Sequence, residues 1–293
     1  MMNNQAGSVL ITGASTGIGR ACALHLVARG FQVFAGVRSP EDAEQLRLVS
    51  GGRVTPVMLD VTDAAQIDAA VATIRAQTNG HGLRALVNNA GIAVPGPLEV
   101  VPIDAFRRQL EVNTLSPIAV TQAFLPLLRE SSRPATIVNM GSISGRFTHP
   151  LFGPYSASKF ALEACSDALR IELSPWGIRV VCIEPGIIAT PIWDKTLASS
   201  LQMLADVSQA RLAPYQPLID MVKATVKPGM GIPPERVARV VGQAITCRRP
   251  RARYVIGLDA YGQLVLTHLP TWLRDWLVRL ALPPFGDLAA TKK

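Results

Sequence analysis

Ser8-Val9-Leu10-Ile11-Thr12-Gly13-Ala14-Ser15-Thr16-Gly17-Ile18-Gly19-Arg20 passes from a short apolar run into a glycine-rich turn and then into a stretch with helical periodicity. An uninterrupted apolar run suits a strand buried on both faces, and glycines in the turn let backbone approach a bound group closely. The helix expected to start near Arg20 offers unpaired N–H groups and the positive end of its dipole. Gly13, Ser15, Thr16, Gly17, Ile18 and Gly19 therefore form a candidate pyrophosphate cradle. Position directly after the first strand is the context such a glycine pattern requires. The alternative is a tight turn that holds nothing.

Outward from that turn, six further β-branched runs alternate with helical lengths of chain: Gln32–Val37, Thr55–Leu59, Ala85–Asn88, Thr136–Met140, Arg179–Ile183 and Tyr254–Gly257, after Ser8–Thr12. Continuous apolar strands separated by helices predict a doubly wound α/β fold, a seven-stranded parallel sheet with helices on both faces and right-handed crossovers. Apolar periodicity marks Ala21, Leu24, His25 and Ala28 in the first helix, and Phe160, Ala164, Ala168 and Leu169 in a later one. Residues 193–231 interrupt the alternation and read as a helical lid inserted in a single domain spanning 1–293, with a C-terminal helical extension over 265–293.

With 293 residues, 48% hydrophobic and 17% charged, the chain is globular and long enough to bury a large core. The net charge is +8, of which residues 246–293 contribute +5, from eight Lys/Arg against three Asp/Glu. A remainder of only +3 argues against a diffuse nucleic-acid-binding surface. The four cysteines are scattered and the four histidines form no HExxH, so no metal site is expected and the thiols read as buried small hydrophobes. Met1-Met2-Asn3-Asn4-Gln5 lacks a basic region followed by an apolar stretch, and no uncharged apolar run reaches about 18 residues. A cytoplasmic setting is the expectation.

Open α/β sheets bind ligands at the carboxyl edge of their strands. Three stretches fall there. Asp60, followed by Val61, is a candidate acceptor for an adenine amino group, and Asn88-Asn89-Ala90-Gly91 closes the fourth strand; simple strand-end capping is the alternative for either. Gly36-Val37-Arg38-Ser39 ends the second, with no acid to bond the ribose hydroxyls of NAD. Arg38 suits a 2′-phosphate, and Ser15 offers a hydroxyl, so NADP(H) is favoured and NAD(H) is the alternative; a solvated strand end is the other reading of Arg38.

Ser142 follows the fifth strand, and Tyr155-Ser156-Ala157-Ser158-Lys159 opens the next helix. A spacing of four puts Tyr155 and Lys159 on one helical face. A phenol with a reference pKa near about 10 exchanges protons poorly at neutral pH unless a neighbouring cation stabilises the phenolate. The combination of TGxxxGIG at Thr12–Gly19, NNAG at Asn88–Gly91, Asn113, Ser142, Tyr155 with Lys159, and Pro185-Gly186 followed by Thr190 resembles the short-chain dehydrogenase/reductase family over roughly residues 7–190.

The resemblance implies a Rossmann fold and an NAD(P)(H)-dependent oxidoreductase that interconverts an alcohol and its carbonyl. It implies Tyr155 as general acid/base, Ser142 as holder of the substrate oxygen, Lys159 as modulator of Tyr155 and ligand of the nicotinamide ribose, and Asn113 as holder of a relay water. Pro185, Gly186, Ile188 and Thr190 fall in the segment that meets the nicotinamide, and a homodimer or homotetramer is implied. The Val33–Arg38 stretch and the long C-terminal part resemble most the retinol and hydroxysteroid dehydrogenase branch.

Phe147, His149, Leu151 and Phe152, with Trp193 at the start of the lid, suggest a hydrophobic substrate such as a steroid, retinoid or other lipid; the alternative is ordinary core and dimer packing. His149 reads as structural. Leu269, Trp272, Leu273, Trp276, Leu277 and Leu280 make an amphipathic stripe with Arg274, Asp275 and Arg279 opposite. With Arg248, Arg249, Arg251 and Arg253 upstream it suits a peripheral membrane contact; packing over the substrate entrance or a subunit is the other reading. Two further function classes are weighed: an extended-type epimerase or dehydratase, disfavoured by the Gly13/Gly17/Gly19 spacing, and a nucleotide-sensing module without catalysis, disfavoured by the intact Ser, Tyr and Lys.

Overall fold

The computed structural model describes residues 6–193, 196, 203–204, 207–225 and 229–283. Seven apolar strands, β1 (Ser8–Ile11), β2 (Gln32–Val37), β3 (Val54–Met58), β4 (Ala85–Asn88), β5 (Thr136–Met140), β6 (Arg179–Pro185) and β7 (Arg253–Ile256), pair in parallel in the order β3-β2-β1-β4-β5-β6-β7. Alternate residues serve opposite cores, as the two-residue period of a strand demands. Val9 and Ile11 enter one apolar cluster with Val33, Ala35, Ala85 and Val87; Leu10 enters the other with Phe34 and Leu86. Both faces are covered, so neither tolerates a polar alternation.

Strand ends move by a residue or two from the sequence reading, because hydrogen-bond register and not composition sets them. β3 runs Val54–Met58, since it pairs from Val33↔Val54 to Val37↔Met58. β6 extends to Pro185 through its pairing with Ile256.

The crossovers are α1 (Gly17–Ala28), α2 (Pro40–Ser50), α3 (Ala64–Thr78), α4 (Ile103–Leu110), a π-helical turn at Glu111–Leu115, α5 (Ser116–Arg129) and α6 (Gly153–Glu172). Helix α1 begins at Gly17, not near Arg20, so the last glycines of the turn lie in its first turn. Its buried side chains include Cys22, Ala23, Leu26 and Val27, whereas Ala28 is exposed. Helix α6 departs further from expectation. Its buried face is Ser156, Ser158, Lys159, Leu162, Glu163 and Ser166, and Phe160, Ala164 and Ala168 face outward. Periodicity identified a stripe, but the sheet took the other side.

Beyond β6, α7 (Gln209–Leu212), a 3-10 turn at Ala213–Tyr215 and α8 (Gln216–Thr225) occupy the segment expected as a lid; its residues 194–195, 197–202, 205–206 and 226–228 lie outside the described ones. This segment meets the loop between β4 and α4 through the exposed Glu99, which accepts from Tyr215 Oη at 2.6 Å and whose carbonyl accepts from Arg211 at 2.9 Å. Helix α9 (Pro234–Thr246) packs beside α1, and α10 (Leu258–Leu266) and α11 (Thr271–Leu280) follow β7. The amphipathic stripe is confirmed as α11, with Leu269 just before it, and residues 284–293 of the expected extension lie outside the described ones. None of its residues is buried, and Trp272 is 72% exposed.

At the amino edge of the sheet, Arg84 donates to the carbonyls of Pro134 and Ile245, the latter at 2.6 Å, and Arg179 to that of Cys247 at 2.5 Å. Two guanidinium groups thus satisfy carbonyls at the C-terminal end of α9 that no helix bond reaches. Burial, with Arg179 and Arg133 nearby, lowers the Arg84 pKa to about 10.

Candidate active site

Strand order reverses direction between β1 and β4, which opens a crevice at their carboxyl ends. Gly13 lies there with φ +61°, and a Cβ on it would sit 2.8 Å from the Ala90 Cα. A Cβ on Gly19 would meet the Gly13 carbonyl and the Asn89 amide, so α1 can approach the turn only without a side chain there. Thr12 ties the two strand ends together: its Oγ1 accepts from Asn89 N at 2.9 Å and Ala90 N at 3.0 Å. Asn89 Nδ2 in return donates to the Thr12 and Gly13 carbonyls, both at 2.9 Å. Thr16, at the N-cap of α1, places no side-chain bond on the first-turn amides, which remain for a ligand.

The crevice continues as a cleft of about 380 Å³ past Arg38, Asp60 and Arg108 at one end to Ser142, Tyr155, Ile192 and Trp193 at the other. Burial alone would raise the Asp60 pKa, but bonds from Thr62 N and Oγ1, at 3.0 and 2.7 Å, with Arg38 and Arg108 nearby, hold it below the ordinary value. Ser142 caps a 3-10 turn, Ile143–Gly145, its Oγ accepting from Ser144 N at 3.1 Å. Burial pushes the Tyr155 phenol up, and a hydrogen bond with Ser142 offsets this in part. Lys159 Nζ lies 5.8 Å from the centre of the Tyr155 ring and donates to the Met140 carbonyl at 2.7 Å. Its pKa falls from 10.5 to about 8 because it is buried, with Cys182 and Glu163 pulling the other way.

Behind Lys159 sits a buried charged cluster that motif reading passed over. Glu163 accepts from Cys182 Sγ and from Arg253 Nε at 2.9 Å, and Glu184 pairs with Arg253 at 3.2 Å and Arg146 at 3.3 Å. Burial and Glu163 together raise the Glu184 pKa against the pull of the arginines, and its Oε2 has no partner. Gly141 makes room for this cluster: a Cβ there would lie 2.6 Å from Cys182 Sγ and 2.8 Å from Glu163 Oε1.

The short chain dehydrogenase family model matches residues 7–200, two-thirds of the chain. The chain belongs to that family. As a short-chain dehydrogenase it is an oxidoreductase that interconverts an alcohol and its carbonyl with a nicotinamide cofactor. It is 37% identical to the retinol dehydrogenase 5 of Mus musculus, over 94% of this chain and 88% of that protein. It is also 37% identical to the NADPH-dependent 3-dehydrocapnine reductase of Ornithobacterium rhinotracheale, over 84% and 87%. Among solved structures, a short-chain dehydrogenase from Streptomyces avermitilis superposes with a TM-score of 0.73 at 29% identity, covering 94% of this chain and 95% of that one. One from Burkholderia cenocepacia in complex with NADP gives 0.70 at 27%, covering 96% and 100%.

In this short-chain dehydrogenase the sequence-named residues Gly13, Ser15, Thr16, Gly17, Ile18, Arg38, Asp60, Val61, Ala90, Gly91, Ser142, Tyr155, Lys159, Pro185, Gly186, Ile188 and Thr190 line one cleft. Gly19, Asn88 and Asn113 stand behind its wall. Asn88 Nδ2 donates to Asn139 Oδ1 at 2.9 Å and Thr121 Oγ1 at 3.0 Å, tying β4 to β5 and α5. Asn113, in the π-helical turn, accepts from Ile92 N and donates to Ile92 O, both at 2.9 Å, and reaches Ser158 Oγ at 3.2 Å. Gln109 grips the same loop through Val94 N at 2.7 Å and Ile92 O at 2.9 Å. Two buried amides therefore clamp the Ile92–Val94 stretch, whose Ile92 and Ala93 line the cleft. Asn89, named within the NNAG run, lines the cleft and ties that run to the glycine turn, whereas Arg108 carried no sequence signal and only tertiary placement brings it to the cleft. His149 bonds Gln263 at 3.0 Å, in keeping with its structural reading. Among the described residues no His/Cys/Asp/Glu cluster could hold a metal ion.

Proposed function

We propose that this short-chain dehydrogenase uses NADP(H) to interconvert a bulky apolar alcohol and its ketone or aldehyde, with Tyr155 as the proton-exchanging residue. One observation carries the reading: Ser142, Tyr155 and Lys159 share a cleft with the glycine turn and an unopposed α1 N-terminus. The residues fit a dinucleotide, because Gly13 and Gly19 let the turn, the Ala90 strand end and α1 pack without intervening side chains, the first-turn amides of α1 carry no side-chain cap, and Arg38 lines the cleft without an acid on that strand end. When bound, the nicotinamide supplies or accepts the hydride.

The protein's own part follows from its side chains. In the reductive direction Tyr155, held protonated by burial, donates its proton to the developing alkoxide. Ser142 donates a hydrogen bond to the same oxygen. Lys159 supplies the positive charge that stabilises the phenolate left behind, and Asn113 holds the Ile92 loop that bounds the reacting end.

Ala93, Ile192 and Trp193 line the substrate end, with Phe152 meeting Trp193 edge to face at 6.4 Å, which supports an apolar substrate. The NADPH-dependent and retinol-oxidising names of the relatives support the same cofactor and substrate class. Assay of the purified protein with NADPH and NADH against retinal, steroid ketones, quinones and small ketones tests it. The expected result is faster turnover with NADPH and with the bulky carbonyls. Faster turnover with NADH, or a preference for small ketones, overturns the corresponding half.

The exposed face Phe160, Ala164 and Ala168 on α6 supports a homo-oligomer through that helix. The exposed Trp272, Trp276 and Leu280 on α11 support peripheral contact with an anionic lipid surface, and no helix among the described residues is long and apolar enough to cross a membrane. Liposome co-sedimentation of the full chain against a protein truncated after Leu266 tests the contact, and equal partitioning overturns it.

A further inference from the structure

Asp259 stands outside the cleft, on α10, yet its carboxylate fits between the ends of β6 and β7 as if a place had been left for it. Oδ2 accepts from Ile187 N at 2.8 Å. A Cβ on Gly186, at the end of β6, would collide with that carboxylate, and so would one on Gly257, at the end of β7, where φ is +118°. Two glycines thus clear the space one acidic side chain fills. Neighbouring backbone groups of the loop are held by other segments: Gly186 N donates to Ile256 O at 2.8 Å, and Ile187 O accepts from Ile232 N at 2.9 Å. The Ile187 amide depends on the carboxylate.

That loop is the one bearing Gly186, Ile188 and Thr190, all on the cleft wall. Thr190 also touches the phosphate turn, its Cβ being 3.1 Å from where a Gly17 Cβ would stand. One helical turn along α10, Gln263 bonds His149, in the segment between Ser142 and Tyr155. Helix α10 therefore grips both loops between which a hydride must travel.

We propose that Asp259 is a positioning residue: through the Ile187 amide it sets the height of the Gly186–Thr190 loop against the reacting end of the cofactor, and Gln263 references the substrate loop to the same helix. This rests on the dinucleotide reading of the cleft. Hydride transfer needs its two carbon atoms within about 3–3.5 Å, so a loop that rides up loses rate and nicotinamide contact while sparing the adenosine end.

Fluorescence titration of the full chain with NADPH and with 2′,5′-ADP, which lacks the nicotinamide half, tests this. Asp259→Ala is expected to bind NADPH about tenfold more weakly and 2′,5′-ADP as the wild type does. Asp259→Asn keeps an oxygen acceptor for the Ile187 amide and is expected to restore NADPH binding. Gly186→Ala pushes the carboxylate away from the Ile187 amide and should reproduce the loss, and Asp259→Ala in the same chain should add little to it, because the same bond is already broken. Unchanged NADPH affinity in Asp259→Ala, equal loss of both nucleotides, an Asn variant as impaired as Ala, or losses that add in full in the double variant overturns the proposal. A wild-type chain that binds neither nucleotide overturns the dinucleotide reading beneath it.

Discussion

The two edges of the sheet each bury a cation and use it in opposite ways. At the amino edge the Arg84 guanidinium spreads its donors over the Pro134 and Ile245 carbonyls, joining the approach to β5 and the end of α9. At the carboxyl edge Lys159 donates to one carbonyl, that of Met140, and borders the cleft. A planar fork satisfied by fixed backbone acceptors has nothing left to exchange, so Arg84 closes the fold. A compact ammonium with a single protein acceptor, its pKa brought down to about 8, keeps its charge adjustable near neutral pH. Burying a charge costs least where fixed acceptors meet its donors; where fewer do, the fold gives up stability to retain chemistry.

The largest effect expected is on the reacting edge. Tyr155→Phe should cut turnover by about 10³-fold or more while leaving NADPH affinity and thermal midpoint in place. Steady-state rates with a parallel binding titration check this, and a variant with wild-type turnover breaks the contrast outright.

Lys159→Met should lower turnover by about 10²-fold and also change how stability follows pH. Between about pH 8 and 10.5 the unfolded chain holds the Lys159 proton and the folded chain does not, so wild-type stability gains a contribution as pH rises through that window. Denaturant melts at several pH values should show the rise in the wild type and its absence in Lys159→Met. Wild-type activity should lose its cation-dependent part above about pH 8.

On the other edge, Arg84→Met should destabilise the chain by about 2–3 kcal/mol, because buried carbonyls lose charged donors, with turnover per folded molecule unchanged. Chemical denaturation and an active-site titration separate the two quantities. A loss of turnover without loss of stability would make the edges alike. The smallest effect belongs to Arg38→Ala, which should reduce the NADPH-over-NADH preference about tenfold, read as the ratio of the two Kd values.

How much of this was legible in advance depended on the kind of signal. β1, β2, β4 and β5 read directly because parallel strands buried on both sides leave uninterrupted apolar runs. Helix faces did not. Phe160, Ala164 and Ala168 look like a core stripe, yet the sheet packs against Ser156, Lys159 and Glu163, since α6 presents its chemistry inward and its apolar side outward. Asn113 was recognisable from its motif, but its grip on both the N–H and C=O of Ile92 is a fact of the π-helical turn. Asp259 carried no signal, because its partner Ile187 is 72 residues away and is engaged through backbone.

Residue identity and short spacing settled the alternation of strands and helices, the glycine turn and the Ser142, Tyr155 and Lys159 set, because each is a local pattern within a few residues of itself. Folding in three dimensions settled which helix faces are covered, which arginines close the sheet, which stand on the cleft, and how α10 holds two loops of the site. Those outcomes depend on contacts between segments far apart in the chain, where burial and unpaired backbone groups, not sequence spacing, choose the partner.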